Sequence, residues 1–290
     1  MMDSGCIDQL SRIPVARARK VKAATLQPLD SPFLARAKTL HQQSALVAIP
    51  RLQSHHIAPH ARAAALAMAA PCQILVMASG NGSNFQALLD AVAVGRIPNS
   101  RICRLIVNRG KAYATTRADK HGVPWEYFNL ISNGFQQKGE RDPERLQRAR
   151  DEYDAALAKK VLALDTRPQL IVLAGWMYIF GERFLDPISA AGIKVINLHP
   201  ALPGKYDGAH AIERAFEDFK AGKLENNKTG IMVHNVIKQV DQGEAILTRE
   251  VECLPGDDLE TLEQRIHSHE HELIVEATAK LVGEIMAQKQ

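Results

Sequence analysis

The sequence predicts an α/β fold: a doubly wound, mostly parallel sheet that turns antiparallel toward the C-terminus and closes on a long helix. Three observations predict it. From residue 73, near-continuous apolar runs alternate with amphipathic helical stretches, the pattern of strands covered on both faces by crossover helices. The first run ends in Ser79-Gly80-Asn81-Gly82-Ser83-Asn84 and passes at once into a helical pattern. Strand, glycine turn and helix in that order make a phosphate cradle. Residues 258–286 then carry one sustained amphipathic pattern.

In chain order, ILVMA (74–78) is the first strand and NFQALLDAVAVG (84–95) its helix. RICRLIVN (101–108) is the second strand, followed by a helix near AYATTRADKHG (112–122). PWEYFNL (124–130) reads as a short strand. DPERLQRARDEYDAALAKKVLAL (142–164) reads as a long helix, with Pro143 at the position near its start where proline is tolerated. LIVLAGW (170–176) and IKVINLHP (193–200) are buried strands, and GIMVHNVI (230–237) and AILTREVEC (245–253) are later, antiparallel ones. Ligands of such sheets bind beyond the carboxyl ends of the strands. Each chemically interesting motif lies at such an end.

Residues 1–72 differ from this body. They hold nine Lys or Arg against three acids, a surplus of six, so the total of +4 leaves −2 on residues 73–290. The body therefore carries no basic signal for nucleic acid. The Arg-rich, acid-poor extension has weak periodicity, a composition shared by organelle transit peptides and disordered tails. Domain boundaries are therefore expected at 1–72, a disordered or targeting extension, and 73–290, the α/β body that carries the strand-end motifs. The four cysteines (Cys6, Cys72, Cys103, Cys253) show no CxxC pair, consistent with reduced thiols inside the cell. The most apolar stretch, around AAALAMAAPCQILVMA, is broken by Pro71 and Gln73, so no membrane span is expected. The expected compartment is the cytoplasm, or an organelle if residues 1–72 are a transit peptide.

The glycine turn does not fit the two commonest phosphate motifs. A dinucleotide fingerprint needs a third glycine at position 85, which is Phe, and the acid expected after the second strand is replaced by Asn108-Arg109. Arg109 keeps an NADP reading open. The triphosphate loop fails because no Gly-Lys-Ser/Thr follows. What remains is a compact set of backbone N–H groups suited to one phosphate monoester. A plain glycine turn with an Asn or Ser cap fits the same letters.

After the later strand, Asn197 and His199 stand two apart and project to one face of an extended chain end. An amide can stabilise an oxyanion and an imidazole can move a proton. Asp241 lies in a loop between the last two strands. A carboxylate facing His199 would raise the imidazole pKa. A capped strand end and a plain Asp-x-Gly turn are the simpler alternatives. In HSHEHE, His267 and His271 share a helix face beside Glu270. Without an HExxH or a cysteine partner, a polar helix face is preferred over a metal site.

The set SGNGSN, LAGWM, NLHPALPG, TGIMVH and VDQGEAI, in that order and spacing, resembles the phosphoribosylglycinamide formyltransferase family over residues 73–285, most of all its fungal monofunctional form. The resemblance implies the formyltransferase fold and transfer of the formyl group of 10-formyltetrahydrofolate, as co-substrate, to the amine of glycinamide ribonucleotide in purine synthesis, without a metal. It implies that Gly82, Ser83 and Asn84 hold the substrate phosphate, with Glu270 also on the ribonucleotide. Asn197, His199 and Asp241 fall on the family's catalytic residues, with His199 protonated as it stabilises the oxyanion. Met177, Tyr178, Ile179 and Phe180 fall on the pterin segment, Val240 and Gln242 on the loop opposite, and Arg150 near the folate's formyl or glutamate end. The implied partners are these small molecules, with no nucleic acid or membrane, in a monomer or weak homodimer. Tyr178 stands where bacterial members have Arg, Asp207 where they have Pro, and Gly204 alters their loop. Two related folate enzymes fit less well. Formyltetrahydrofolate hydrolase carries an α/β regulatory domain whose strands are absent from 1–72, and methionyl-tRNA formyltransferase needs a basic C-terminal domain.

Overall fold

A computed structural model describes residues 70–289; the extension expected at 1–72 falls almost wholly outside them. The elements are β1 (Cys72–Ala78), α1 (Ser83–Ala93), β2 (Ser100–Val107), α2 (Ala114–Lys120), β3 (Trp125–Tyr127), α3 (Pro143–Leu162), β4 (Leu170–Leu173), α4 (Glu182–Ala190), β5 (Lys194–His199), α5 (Ala211–Lys220), β6 (Lys228–Asn235), β7 (Ala245–Glu252) and α6 (Leu259–Ala287). One seven-stranded sheet has the order β3-β2-β1-β4-β5-β6-β7. Pairings from β3 through β5 are parallel, and β5–β6 and β6–β7 are antiparallel. This is the mixed sheet the sequence predicts.

The two-residue period of the strands divides the core into two layers. Ile74, Val76 and Ala78 of β1 face a layer with Phe85 and Leu88 of α1, Ala114 of α2, Ile212 of α5 and Ile266 and Leu273 of α6. Leu75 and Met77 face the other, with Tyr153, Leu157 and Val161 of α3 and Phe184 and Ile188 of α4. Each of the larger aliphatic and Phe side chains, fully buried, contributes about 1.5–3 kcal/mol, and both faces of β1 collect that gain. β1 starts at Cys72, whose N–H bonds the Asn99 carbonyl.

Pro143 occupies the first turn of α3, where its missing N–H costs nothing, and the Asp142 side chain caps the N–H groups of Glu144 and Arg145 at 2.9 and 3.1 Å. The 29 residues of α6 run about 43 Å and pack on α1, α5, β6 and β7. Among the described residues no helix is long and apolar enough to cross a membrane.

β1 is the switch point of the sheet. The chain leaves it outward to β2 and β3, then returns on its other side to β4 and β5. The loops after β1 and β4 diverge there, which opens a crevice. The two loops are joined at its floor: Ser79 N–H donates to the Gly175 carbonyl at 3.0 Å, and Met177 N–H donates to Ser79 Oγ at 2.7 Å.

Candidate active site

The glycine turn enters α1 through Gly82, which has φ +75°. A Cβ there would lie 2.7 Å from Ala114 Cβ and 2.9 Å from Ala114 Cα. Position 82 therefore needs glycine for both conformation and space. No side chain caps α1 and no acid stands in its first turn, so its leading N–H groups and the positive end of the helix dipole are left to an anion. Arg117 of α2 braces the turn from outside, donating to the Asn81 carbonyl at 3.0 Å and to Asn81 Oδ1 at 2.8 Å.

Asn84, in the first turn of α1, is buried, and its Nδ2 donates to the buried Glu270 Oε2 of α6 at 3.2 Å. Residues 186 positions apart thus form one polar wall. Asn84 Oδ1 is buried and makes no hydrogen bond, an acceptor left for a hydroxyl or N–H donor. Glu270 is engaged with Asn84, and among the described residues no group of three His, Cys, Asp or Glu is placed to hold a metal ion.

Two strands away, Asn197 and His199 end β5 on one face. The intervening separation is about 10 Å at the ordinary strand spacing, of the order of a phosphorylated pentose. Asp241, with φ +56°, turns the β6–β7 loop back over them. Its Oδ2 lies 3.4 Å from His199 Nδ1 and accepts the Gly208 N–H at 2.8 Å. Its Oδ1 lies 3.3 Å from His234 Nε2 and 3.4 Å from Asn197 Nδ2. His199 Nε2 sits 3.2 Å from the Tyr206 carbonyl. Gly243 lets this loop close, since a Cβ there would fall 1.7 Å from the Asn235 carbonyl oxygen.

Burial works against the charge on Asp241, but the hydrogen bonds from His234 and Gly208 and the nearby imidazoles hold its pKa below the ordinary carboxylate value. His199 goes the other way. Its burial lowers the pKa below that of a free imidazole and outweighs the pull of Asp241. The expectation of a raised pKa is therefore corrected: the carboxylate acts in the expected direction, and desolvation is larger. Both ring nitrogens nevertheless face acceptors, so the ring is placed to hold a second proton once negative charge develops beside it.

A protein-family model described as "Formyl transferase" matches residues 72–278. The chain is 42% identical over 210 residues to the phosphoribosylglycinamide formyltransferase of Schizosaccharomyces pombe, covering 72% of this chain and 96% of that protein. It is 45% identical over 206 residues to the Dictyostelium discoideum protein of the same name, covering 70% and 95%. The chain belongs to the phosphoribosylglycinamide formyltransferase family. The crystal structure of glycinamide ribonucleotide transformylase 1 from Symbiobacterium toebii superposes with a TM-score of 0.62 at 30% identity, covering 74% of this chain and 90% of that one. Both curated relatives are spanned almost end to end, in keeping with the resemblance to a monofunctional form.

The residues that this family resemblance assigns to folate lie around the β4 loop. Met177 and Ile179 are 69% and 54% exposed, an unusual display of apolar surface at a crevice mouth. Tyr178 meets Tyr153 and Phe180 edge to face, and Phe180 stacks with Trp176 and Phe184. Arg150 lies over the Tyr178 ring at 4.9 Å and donates to the Ile179 carbonyl at 3.2 Å. Beneath them, buried Asp154 accepts the Gly181 N–H at 2.6 Å. Burial pushes its pKa up to about 6 against that hydrogen bond. The Tyr178 hydroxyl acts on this carboxylate, yet neither it nor Asp154 Oδ1 completes a hydrogen bond of ordinary geometry. Val240 and Gln242 flank Asp241, and Gln242 Nε2 donates to Asp207 Oδ2 at 3.1 Å.

Four contributors escape a reading of the sequence. His234 enters the site because antiparallel register sets it opposite Asn197. Its Nδ1 bonds the Asn235 carbonyl at 2.9 Å. Ser79 ties the loop after β4 to the glycine turn, Arg117 braces the turn, and Asp154 holds Gly181. His234 left a signal as the polar end of the apolar run TGIMVH, and Ser79 as the first letter of the glycine turn, although neither role is legible from it.

Proposed function

We propose that the chain transfers the formyl group of 10-formyltetrahydrofolate to the glycinamide amine of N1-(5-phospho-D-ribosyl)glycinamide, the formylation step of purine synthesis. One observation carries the reading: an uncapped glycine turn with the Asn84–Glu270 pair and an Asn197–His199–Asp241 cluster lie along the same strand ends. The first end suits a phosphate and its sugar, and the second suits a reacting carbonyl. The exposed Met177 and Ile179, with Arg150 at their flank, fit a flat pterin and the anionic tail of a folate.

Gly82, Ser83 and Asn84 hold the phosphate through backbone N–H groups, and Glu270 receives sugar hydroxyls. The amine then attacks the formyl carbon. Asn197 donates to the oxyanion that develops on the formyl oxygen, at the moment when such a donor is worth most. His199, neutral in the resting site, takes the proton shed by the amine through an ordered water. The imidazolium so formed is stabilised by ionised Asp241, and its proton passes to the departing folate nitrogen. No proton is lost or gained over the cycle.

The test is a single mixing experiment. Purified protein is incubated with 10-formyltetrahydrofolate, with and without glycinamide ribonucleotide. Release of tetrahydrofolate only in the presence of the ribonucleotide is the expected result. Release without it indicates a hydrolase, and no release under either condition indicates a binding module.

A further inference from the structure

Asp207 has no part in the scheme above, yet it is built into the site. It lies in the loop 204–208 between β5 and α5, at a position where the sequence departs from the bacterial pattern. Tyr206 in this loop has φ +52°, a conformation that costs a residue with a side chain. The loop is held there from α5, where Arg214 Nη2 donates to the Tyr206 carbonyl and to the Asp207 carbonyl, the latter at 2.8 Å. Tyr206 also anchors itself, its hydroxyl donating to Asp218 Oδ2 at 2.8 Å. Gly208, the residue after Asp207, gives its N–H to catalytic Asp241. The Asp207 side chain thereby arrives with its Oδ2 on Gln242 at 3.1 Å, while its Oδ1 is buried and makes no hydrogen bond.

We propose that Asp207 is a positioning residue for formyl transfer, tethering the β6–β7 loop through Gln242 and adding a second negative charge to the loop whose Tyr206 carbonyl faces His199. The proposal rests on the function read above. The groups that act on the His199 ring come from three directions. Asp241 on the β6–β7 loop favours the imidazolium, His234 on β6 opposes it, and the Tyr206 carbonyl and Asp207 on the loop before α5 favour it. Asp207 thus adds to Asp241 in favouring a charge that burial disfavours. Its two effects separate chemically. An asparagine keeps an oxygen to accept from Gln242 but loses the charge, whereas an alanine loses both.

The test follows the His199 ring by NMR in uniformly 15N-labelled full-length protein, with His199→Asn to assign its signals. Both D207N and D207A are expected to move the His199 titration midpoint toward acid, because a charge that favours the imidazolium has been removed. In steady-state assays D207A should raise KM for the formyl donor about three- to ten-fold, the loss of one net hydrogen bond, while D207N stays within about two-fold. An unmoved or base-shifted midpoint in D207N overturns the electrostatic role. An unchanged KM in D207A overturns the tether. The NMR measurement needs no substrate, so failure of the wild-type protein to transfer formyl would remove the functional reading and still leave the His199 titration to decide the charge effect.

Discussion

At the β1 end of the crevice the groups we assign to the phosphate are backbone N–H groups from one contiguous turn, with the Asn84–Glu270 side chains beside them. At the β5 end they are side chains drawn from β5, β6 and two loops, with Asn197 and Asp241 lying 44 residues apart. The first end depends on conformation: Gly82 must adopt φ +75° against Ala114, and any residue able to do so would present the same N–H groups. The second depends on charge. It sets a carboxylate of lowered pKa against an imidazole also lowered by burial. A backbone-built site responds to steric change and little to pH, whereas a side-chain cluster responds to both.

The largest expected effects lie at the β5 end. His199→Ala and Asp241→Ala should each fold, as judged by an unchanged far-UV spectrum, and lose on the order of 10²–10³ in kcat, the usual worth of a positioned proton-transfer group. KM for the ribonucleotide should hardly move, since we assign its phosphate to the β1 end. A purified variant with near wild-type kcat would remove these residues from the chemistry. At the β1 end the pattern should invert. Gly82→Ala forces a Cβ against Ala114 in a left-handed conformation, a strain of about 1–3 kcal/mol. We expect KM for the ribonucleotide to rise roughly ten-fold or more with the folate KM preserved. A rise in both constants would show that the two ends are not independent.

Glu270→Gln sharpens the same contrast. It keeps the size of the side chain that receives the Asn84 amide but replaces a charge-assisted hydrogen bond by a neutral one. Such a change costs about 1 kcal/mol, so KM for the ribonucleotide should rise about five-fold without a change in the pH profile of kcat. A shifted profile would mean that Glu270 communicates with His199.

The two ends also differ in how far the sequence reveals them. The glycine turn is legible because its letters are adjacent and each answers a local demand. Asn197 and His199 are legible as a pair because strand periodicity is local too. His234 is not, because only the antiparallel β5–β6 pairing brings it to Asn197. The helices α4 and α5 are missed for related reasons. Pro187 interrupts the pattern of α4, and α5 is preceded by His210 in a left-handed conformation with no side-chain cap. Each lacks the start signal that marks α3, where Asp142 and Pro143 announce the first turn. The direction of the His199 shift is likewise hidden, because burial is a property of the packed loops and not of the letters near residue 199.

The smallest expected effect concerns Asp154, beneath the loop after β4 and outside both ends of the crevice. Its folded pKa of about 6 stands above the ordinary carboxylate value of 3.8. The protonated form is therefore favoured by folding. The stability it provides is fully present below pH 3.8 and is lost as pH rises through about 6. The gap between 3.8 and about 6 sets a ceiling of about 3 kcal/mol on that contribution. Asp154→Asn keeps an oxygen for the Gly181 N–H and removes the charge, but it buries an amide that has its own desolvation cost. The net gain should be about 1 kcal/mol at pH 8, an increase of about 2–4 °C in Tm, shrinking toward zero at pH 5. Thermal melts of both proteins across that range decide it. A Tm difference that stays constant with pH would mean that the Asp154 carboxyl does not change protonation state between them.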